Sequence, residues 1–394
     1  MATSAQQIRA WRGPAIFRYG FRPFFLSAAA FAAGAMMIWI WSLAAGWAIP
    51  SAYGPVDWHA HEFLWGYLYA VAAGFLLTAI PNWTGRLPVV GLPLAVLWIL
   101  WLCGRLAMFF SGYMPAALAA AIDLLFPAAF AFVVAREIIA GKNWRNLKVL
   151  AVFLLLTSGN VVFHYQAIKD GAAASGVGIR IGVAAGILLI IIIGGRIVPS
   201  FTGNWLAKRG PGRMPASFGV IDQVSLVITG AALAAWVAFP VSAPTGVLGL
   251  LAGGMNIVRL ARWAGWRTLA EPLVAILHIG YLFVPAGFLL TAAAALWPET
   301  VPMAAAQHAW MAGAFSIMTI AVMTRASLGH SGLPLKADTK ISMIYVLLIS
   351  AAVLRIVYGF SPADFILVEF AGLCWILGFA GFVLVYTPIM FRKK

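Results

Sequence analysis

Charge is what this sequence has least of. Only 9% of its 394 residues are charged, and Asp and Glu together number 11 against 26 Lys and Arg. A soluble globular chain carries about 25% charged residues, and 63% hydrophobic content leaves far more apolar surface than such a chain can bury. Cysteine is nearly absent: Cys103 and Cys374 form no C-x-x-C, which excludes a disulfide scaffold, a zinc ribbon and a c-type haem attachment. No G-x-x-x-x-G-K-[ST], G-x-S-x-G or H-E-x-x-H occurs, so nucleotide hydrolysis and the common hydrolase chemistries have no support. The net charge of +15 does not point to nucleic acid, because the basic residues are spread over short loops.

What the chain does have is long apolar runs. Stretches of roughly 20 residues suffice to cross a bilayer, and they occur at 23–46, 62–80, 89–110, 114–135, 148–168, 177–199, 217–238, 243–261, 272–293, 303–325, 341–359 and 364–390. The fold expected is an all-α integral membrane protein of about twelve transmembrane helices, residues 1–394 forming one polytopic domain. The run from Phe24 is too long for a signal-peptide core and lacks a small-residue cleavage site, so it is expected to be retained as the first span. Arg9, Arg12 and Arg18 precede span one, and Arg136, Lys142, Arg145 and Lys148 follow span four. Lys208, Arg209 and Arg213 follow span six, and Arg392, Lys393 and Lys394 end the chain. By the positive-inside rule both termini face the cytoplasm.

Span two ends in Pro81-Asn82-Trp83-Thr84-Gly85 and span six in Pro199-Ser200-Phe201-Thr202-Gly203. His308 and Gly313 of span ten repeat the spacing of His61 and Gly66. The pattern predicts three pseudo-repeated four-helix units, 1–135, 136–262 and 263–394. The plainer reading is that Pro and Gly mark helix ends.

Four of the six histidines, His59, His61, His164 and His308, fall towards one side of the predicted membrane; His278 lies deeper and His330 beyond span ten. Imidazole is costly in a bilayer and binds copper, iron and zinc well. All six are therefore candidate metal ligands, with Glu62 and Asp57 close enough in sequence to orient the pair His59 and His61. Each also has an ordinary reading: interfacial residues for His59 and His61, carbonyl-bonded core residues for His164 and His278, and a loop residue for His330. Asp123 lies in the middle of span four, and Arg196 and Arg325 near the ends of spans six and ten. Intramembrane ionisable groups mark proton paths, cofactor propionates or substrate routes, although the two arginines also suit snorkelling anchors.

Four segments carry a family resemblance: Arg22-Pro23-Phe24-Phe25, Trp58-His59-Ala60-His61-Glu62, Gly194-Gly195-Arg196, and His308 to His330 with Met323-Thr324-Arg325-Ala326. Together they resemble the NnrS family of bacterial inner-membrane proteins over nearly the whole chain. That resemblance implies haem (heme b) and copper as cofactors and a role in denitrification and nitric oxide resistance. On this reading nitric oxide is bound at a haem iron, with or without adjacent copper, and reductively removed, with electrons from quinol or a redox partner protein. His61 and His308 are expected to face one another across a haem, with Arg196 and Arg325 as further cofactor-binding candidates. His59 and His164 would complete a copper or second haem site, and Glu62 and Asp123 would deliver protons. A nonenzymatic nitric oxide or metal sequestration protein and a twelve-helix secondary transporter are the alternatives.

Overall fold

The computed structural model describes residues 11–392; Arg9, Lys393 and Lys394, which contribute to the terminal charge count, lie outside them. Twelve helices among the described residues are long and apolar enough to cross a membrane. They are α1 (Phe21–Ala45), α2 (Pro55–Thr84), α3 (Leu92–Phe109), α4 (Ala116–Ala140), α5 (Trp144–Asp170) and α6 (Val177–Leu206). The remaining six are α7 (Val220–Ala238), α8 (Ala243–Ala261), α9 (Pro272–Leu296), α10 (Met303–His330), α11 (Thr339–Phe360) and α12 (Phe365–Met390).

Local chemistry sets their ends. Pro55 opens α2 behind Gly54, where a missing N–H costs nothing. Asp338 caps α11 by accepting the Ile341 N–H at 2.9 Å, and α1 and α5 stop at the left-handed Gly46 and Gly171, a conformation glycine adopts without strain.

Two helix boundaries differ from the expectation. α2 starts at Pro55, so His59 and His61 lie inside its opening turns rather than at a threshold before it. Pro199-Ser200-Phe201-Thr202-Gly203 does not end α6, which runs on to Leu206, whereas Gly85 does end α2 at φ 69°. An apolar-run count stops at the first polar cluster, but a helix continues while its backbone bonds can be made. His330 is likewise the last residue of α10 rather than a loop residue.

The chain forms two compact units. The first comprises residues 1–185 with 326–333 and 379–394, and the second 186–325 with 334–378. In the first, α1 packs on α2, α3 on α4, and α4 on both α5 and α2. Buried Arg22 of the Arg-Pro-Phe-Phe segment donates to the carbonyls of Ala15 at 2.8 Å and Arg392 at 3.2 Å, tying the start of the unit to its end. In the second, α7 packs on α8, α8 on α9, α9 on α10, and α10 on α11. α2 and α10 are the most enclosed helices. Each widens into a π-helical turn directly after a histidine, over Glu62–Gly66 and Ala309–Phe315; such turns collect at functional sites.

Candidate metal centre

Inside the first unit, α2, α3, α4 and α5 each send a polar side chain to one buried point. α2 supplies His61 and Glu62, α3 Arg105, α4 Asp123, and α5 Asn160 and His164, none more than 5% exposed. Side chains this polar are stable in an apolar interior only when paired, and here the pairing is nearly complete.

The two imidazoles share a common arrangement. His61 Nε2 lies 3.3 Å from Asp123 Oδ2 and His164 Nε2 lies 3.1 Å from the same oxygen. The opposite nitrogen of each ring is anchored from behind: His61 Nδ1 to Glu62 Oε1 at 2.8 Å and His164 Nδ1 to the Tyr53 hydroxyl at 2.7 Å. One potential ligand atom from each of His61, Asp123 and His164 falls within 4.8 Å of the others, the sole such group of three among the described residues. Anchoring one imidazole nitrogen while the other points at a shared centre is how metal-binding histidines are oriented.

Asn160 bridges the cluster, its Nδ2 donating to Asp123 Oδ2 at 2.8 Å and its Oδ1 lying 2.9 Å from His61 Nε2. Arg105 joins the two acids, donating from Nη1 to Glu62 and from Nη2 to Asp123. Its seat depends on Gly66, where a Cβ would run into the guanidinium and approach Glu62 Oε2 and Phe31 Cε1 at 3.1 Å. Pro127, four residues after Asp123 inside α4, has no N–H for the Asp123 carbonyl, so the helix ladder is opened at the carboxylate.

Two carboxylates against one guanidinium leave one negative charge to be offset, by a proton on His61, whose two nitrogens both face oxygen acceptors, or by a metal ion in its place. That balance and the donor set of two nitrogens and one oxygen suit a transition-metal cation. Tyr53, on the segment leading into α2, has its phenol pushed above the usual range by burial and then by the Asp123 and Glu62 charges, so it stays protonated at neutral pH. Asp57 serves a different end from the one expected. Its Oδ1 accepts the backbone N–H groups of Ala173 at 3.0 Å and Ala174 at 2.6 Å, pinning the loop between α5 and α6.

The other predicted residues sit elsewhere. His59 stacks on Trp39, ring centroids 4.4 Å apart, and meets Phe63 at a tilt, 4.7 Å away. His308 Nδ1 pairs with the Ala304 carbonyl at 2.6 Å, one turn back in its own helix. His278 meets the Thr202 hydroxyl through Nε2 at 2.7 Å, while its Nδ1 lies against Gly265 without a hydrogen-bond partner. The His330 ring rests on Phe21 at 5.8 Å. Arg325 covers the Phe201 ring at 4.2 Å, and Arg196 is half-buried on α6. Sequence reasoning passed over Arg105, Asn160 and Tyr53. Arg105 carried a usable signal, as the lone charge in the apolar run that became α3.

No curated protein matches the chain. A family model described as NnrS protein matches residues 15–394. With the twelve apolar helices, this match makes the molecule a multi-pass protein of the bacterial inner membrane, and the chain belongs to the NnrS family.

Proposed function

We propose that this protein holds a copper ion between His61, His164 and Asp123, and that it binds nitric oxide there and removes it by reduction. The observation that carries the reading is the convergence of two imidazole Nε2 atoms on one carboxylate oxygen, at 3.3 and 3.1 Å, with both Nδ1 atoms held from behind. Family membership supports copper and nitric oxide, and the geometry supports this ligand set. When bound, copper supplies a coordination position for a diatomic ligand and a one-electron couple.

The chain's own residues do the rest. Glu62 and Tyr53 fix the two ring orientations, and Arg105 holds both carboxylates in place. Asn160 holds Asp123 Oδ2 on the side of the imidazoles. Glu62 Oε1, between His61 and Arg105, is the atom best placed to hold a proton beside the centre. Electrons come from an external donor, quinol or a redox partner protein.

A haem does not fit at His61. Its ring is fully buried among His164 at 5.0 Å, Trp65 at 5.3 Å and Phe163 at 5.3 Å, and both its nitrogens face oxygen acceptors. His61 is therefore a ligand of the metal ion on this reading, not of a haem shared with His308.

The test is copper analysis of protein purified from copper-replete cells, with visible and paramagnetic resonance spectra before and after nitric oxide. The expected outcome is about one copper per chain, lost in His164→Ala and Asp123→Ala. A copper-free wild type, or full copper in both variants, overturns the assignment. Nitric oxide binding without consumption, when an electron donor is supplied, assigns sequestration in place of reduction.

A further inference from the structure

The second unit carries an ordered basic surface that the metal centre does not use. Residues 207–219, between α6 and α7, contain Lys208, Arg209 and Arg213; the turn after α8 contains Arg262 and Arg267. From 207 to 270 the one acidic residue is Asp222, which is buried and already paired with Arg259 at 3.0 Å. Asp222 also faces Arg262 at 3.6 Å, which leaves Lys208, Arg209 and Arg213 as the charges that no acid in these segments offsets.

Topology alone requires only that positive residues lie in a loop. It does not require the loop to be ordered, and this one is. Arg267 turns its guanidinium inward, donating to the carbonyls of Arg213 at 2.7 Å, Gly210 at 3.1 Å and Pro211 at 3.3 Å. The two segments are joined again by Ala216 N–H to Arg262 O at 3.0 Å and by Arg262 Nη2 to Ser217 O at 3.2 Å. Gly212, beside the Arg267 guanidinium, has φ 151°, a backbone conformation that other residues rarely adopt.

With Arg267 spent on the scaffold, Lys208, Arg209 and Arg213 are left exposed. Aromatic faces steady two of them: Arg209 lies over Trp205 at 3.9 Å and Arg213 over Trp266 at 5.1 Å. The same two segments expose large apolar side chains, Trp266 at 53%, Phe218 at 60% and Leu269 at 72%. Exposed tryptophan and aliphatic groups interleaved with arginine at the ends of membrane helices match the boundary between headgroups and acyl chains.

We propose that these two segments form a binding site for an anionic phospholipid, with the phosphodiester taken by Lys208, Arg209 and Arg213 and the acyl chains lying against Trp266, Phe218 and Leu269. The guanidinium groups suit a phosphodiester because their paired N–H donors match its oxygens. The interleaved apolar side chains favour a lipid over a water-facing acidic protein. The site is independent of the metal assignment and stands or falls without it.

The experiment is a lipid competition on delipidated full-length protein, with phosphatidylglycerol and phosphatidylcholine of the same acyl chains, read by native mass spectrometry. Wild type is expected to retain phosphatidylglycerol at least tenfold better, since each basic residue near an anionic surface is worth about fivefold in binding. The variant K208Q/R209Q/R213Q is expected to lose that preference, and R213Q alone, the milder change should the triple variant not fold, to lose about fivefold. The variant K142Q/R145Q/K148Q removes three charges from a different loop and is expected to keep it. Equal retention of both lipids by wild type, equal losses in the two triple variants, or displacement by glycerol phosphate as effective as by the intact lipid overturns the proposal.

Discussion

In the first unit Arg105 stands between two carboxylates, Glu62 and Asp123, with two imidazoles on the far side. In the second unit Arg259 stands beside one carboxylate, Asp222, and its partners are neutral. Its Nη1 donates to the Tyr281 hydroxyl at 3.1 Å, Tyr281 donates to Asn256 Oδ1 at 2.8 Å, and Asn256 donates to Thr229 Oγ1 at 2.9 Å. The second network has no surplus acid, since Asp222 also faces the Arg262 guanidinium at 3.6 Å, so it ties helices together and asks for nothing more. The first sets two acids against one guanidinium and aims two imidazole nitrogens at one oxygen, so it needs a further cation, a proton on His61 or a metal ion that displaces it. A buried ion pair is thus no sign of function in itself; the surplus around it is.

Breaking the balanced network should have the largest effect. Arg259→Ala leaves Asp222 buried without its main partner and is expected to cost about 3–5 kcal/mol in thermal unfolding of the detergent-solubilised protein. Pairing it with Asp222→Asn should restore much of that loss. Arg105→Ala strands two acids and should destabilise comparably, but there added copper is expected to recover part of the loss, because a cation can stand in for the guanidinium. Recovery by copper in the Arg259 variant as well would erase the distinction between the two networks.

His61→Ala and His164→Ala should each weaken copper binding by about 100-fold or more while costing less stability than either arginine change; equilibrium dialysis separates the two quantities. Asp57→Ala frees the Ala173 and Ala174 N–H groups and is expected to cost about 1–3 kcal/mol with copper content unchanged. A loss of copper in that variant would bring Asp57 back into the centre.

The smallest effect sharpens the comparison most. Tyr53→Phe removes only the hydroxyl behind His164 and should weaken copper binding about tenfold with little change in stability at neutral pH. The tyrosine holds its proton more tightly folded than unfolded. Its contribution to stability is therefore fully present below the unfolded value of about 10 and is lost as pH rises through the higher folded value. Stability curves of wild type and Tyr53→Phe should therefore run together at neutral pH and separate above about pH 10, wild type losing stability that the variant keeps.

The membrane class and the span count were legible because an apolar run of bilayer length has few other fates. Glu62, Asp123 and the histidines were legible as residues that must find partners, because burying an unpaired polar group in hydrocarbon is costly. Helix ends were less so: α2 begins several residues before its apolar run and α6 ends several after, since caps and backbone bonds decide them. Arg105 announced itself as a lone charge in an apolar helix and was passed over. Tyr53 had no signal at all, being a loop residue whose partner His164 is 111 positions away.

From its own residues the sequence determined the membrane class, the helices and the polar groups that have to be satisfied within them. Only the tertiary structure decided that His61 meets His164 and Asp123 rather than another histidine. The cost of burial obliges a partner without naming it; which partner is met depends on the packing of α2, α4 and α5, on the widened turn after His61, and on the room Gly66 leaves for Arg105.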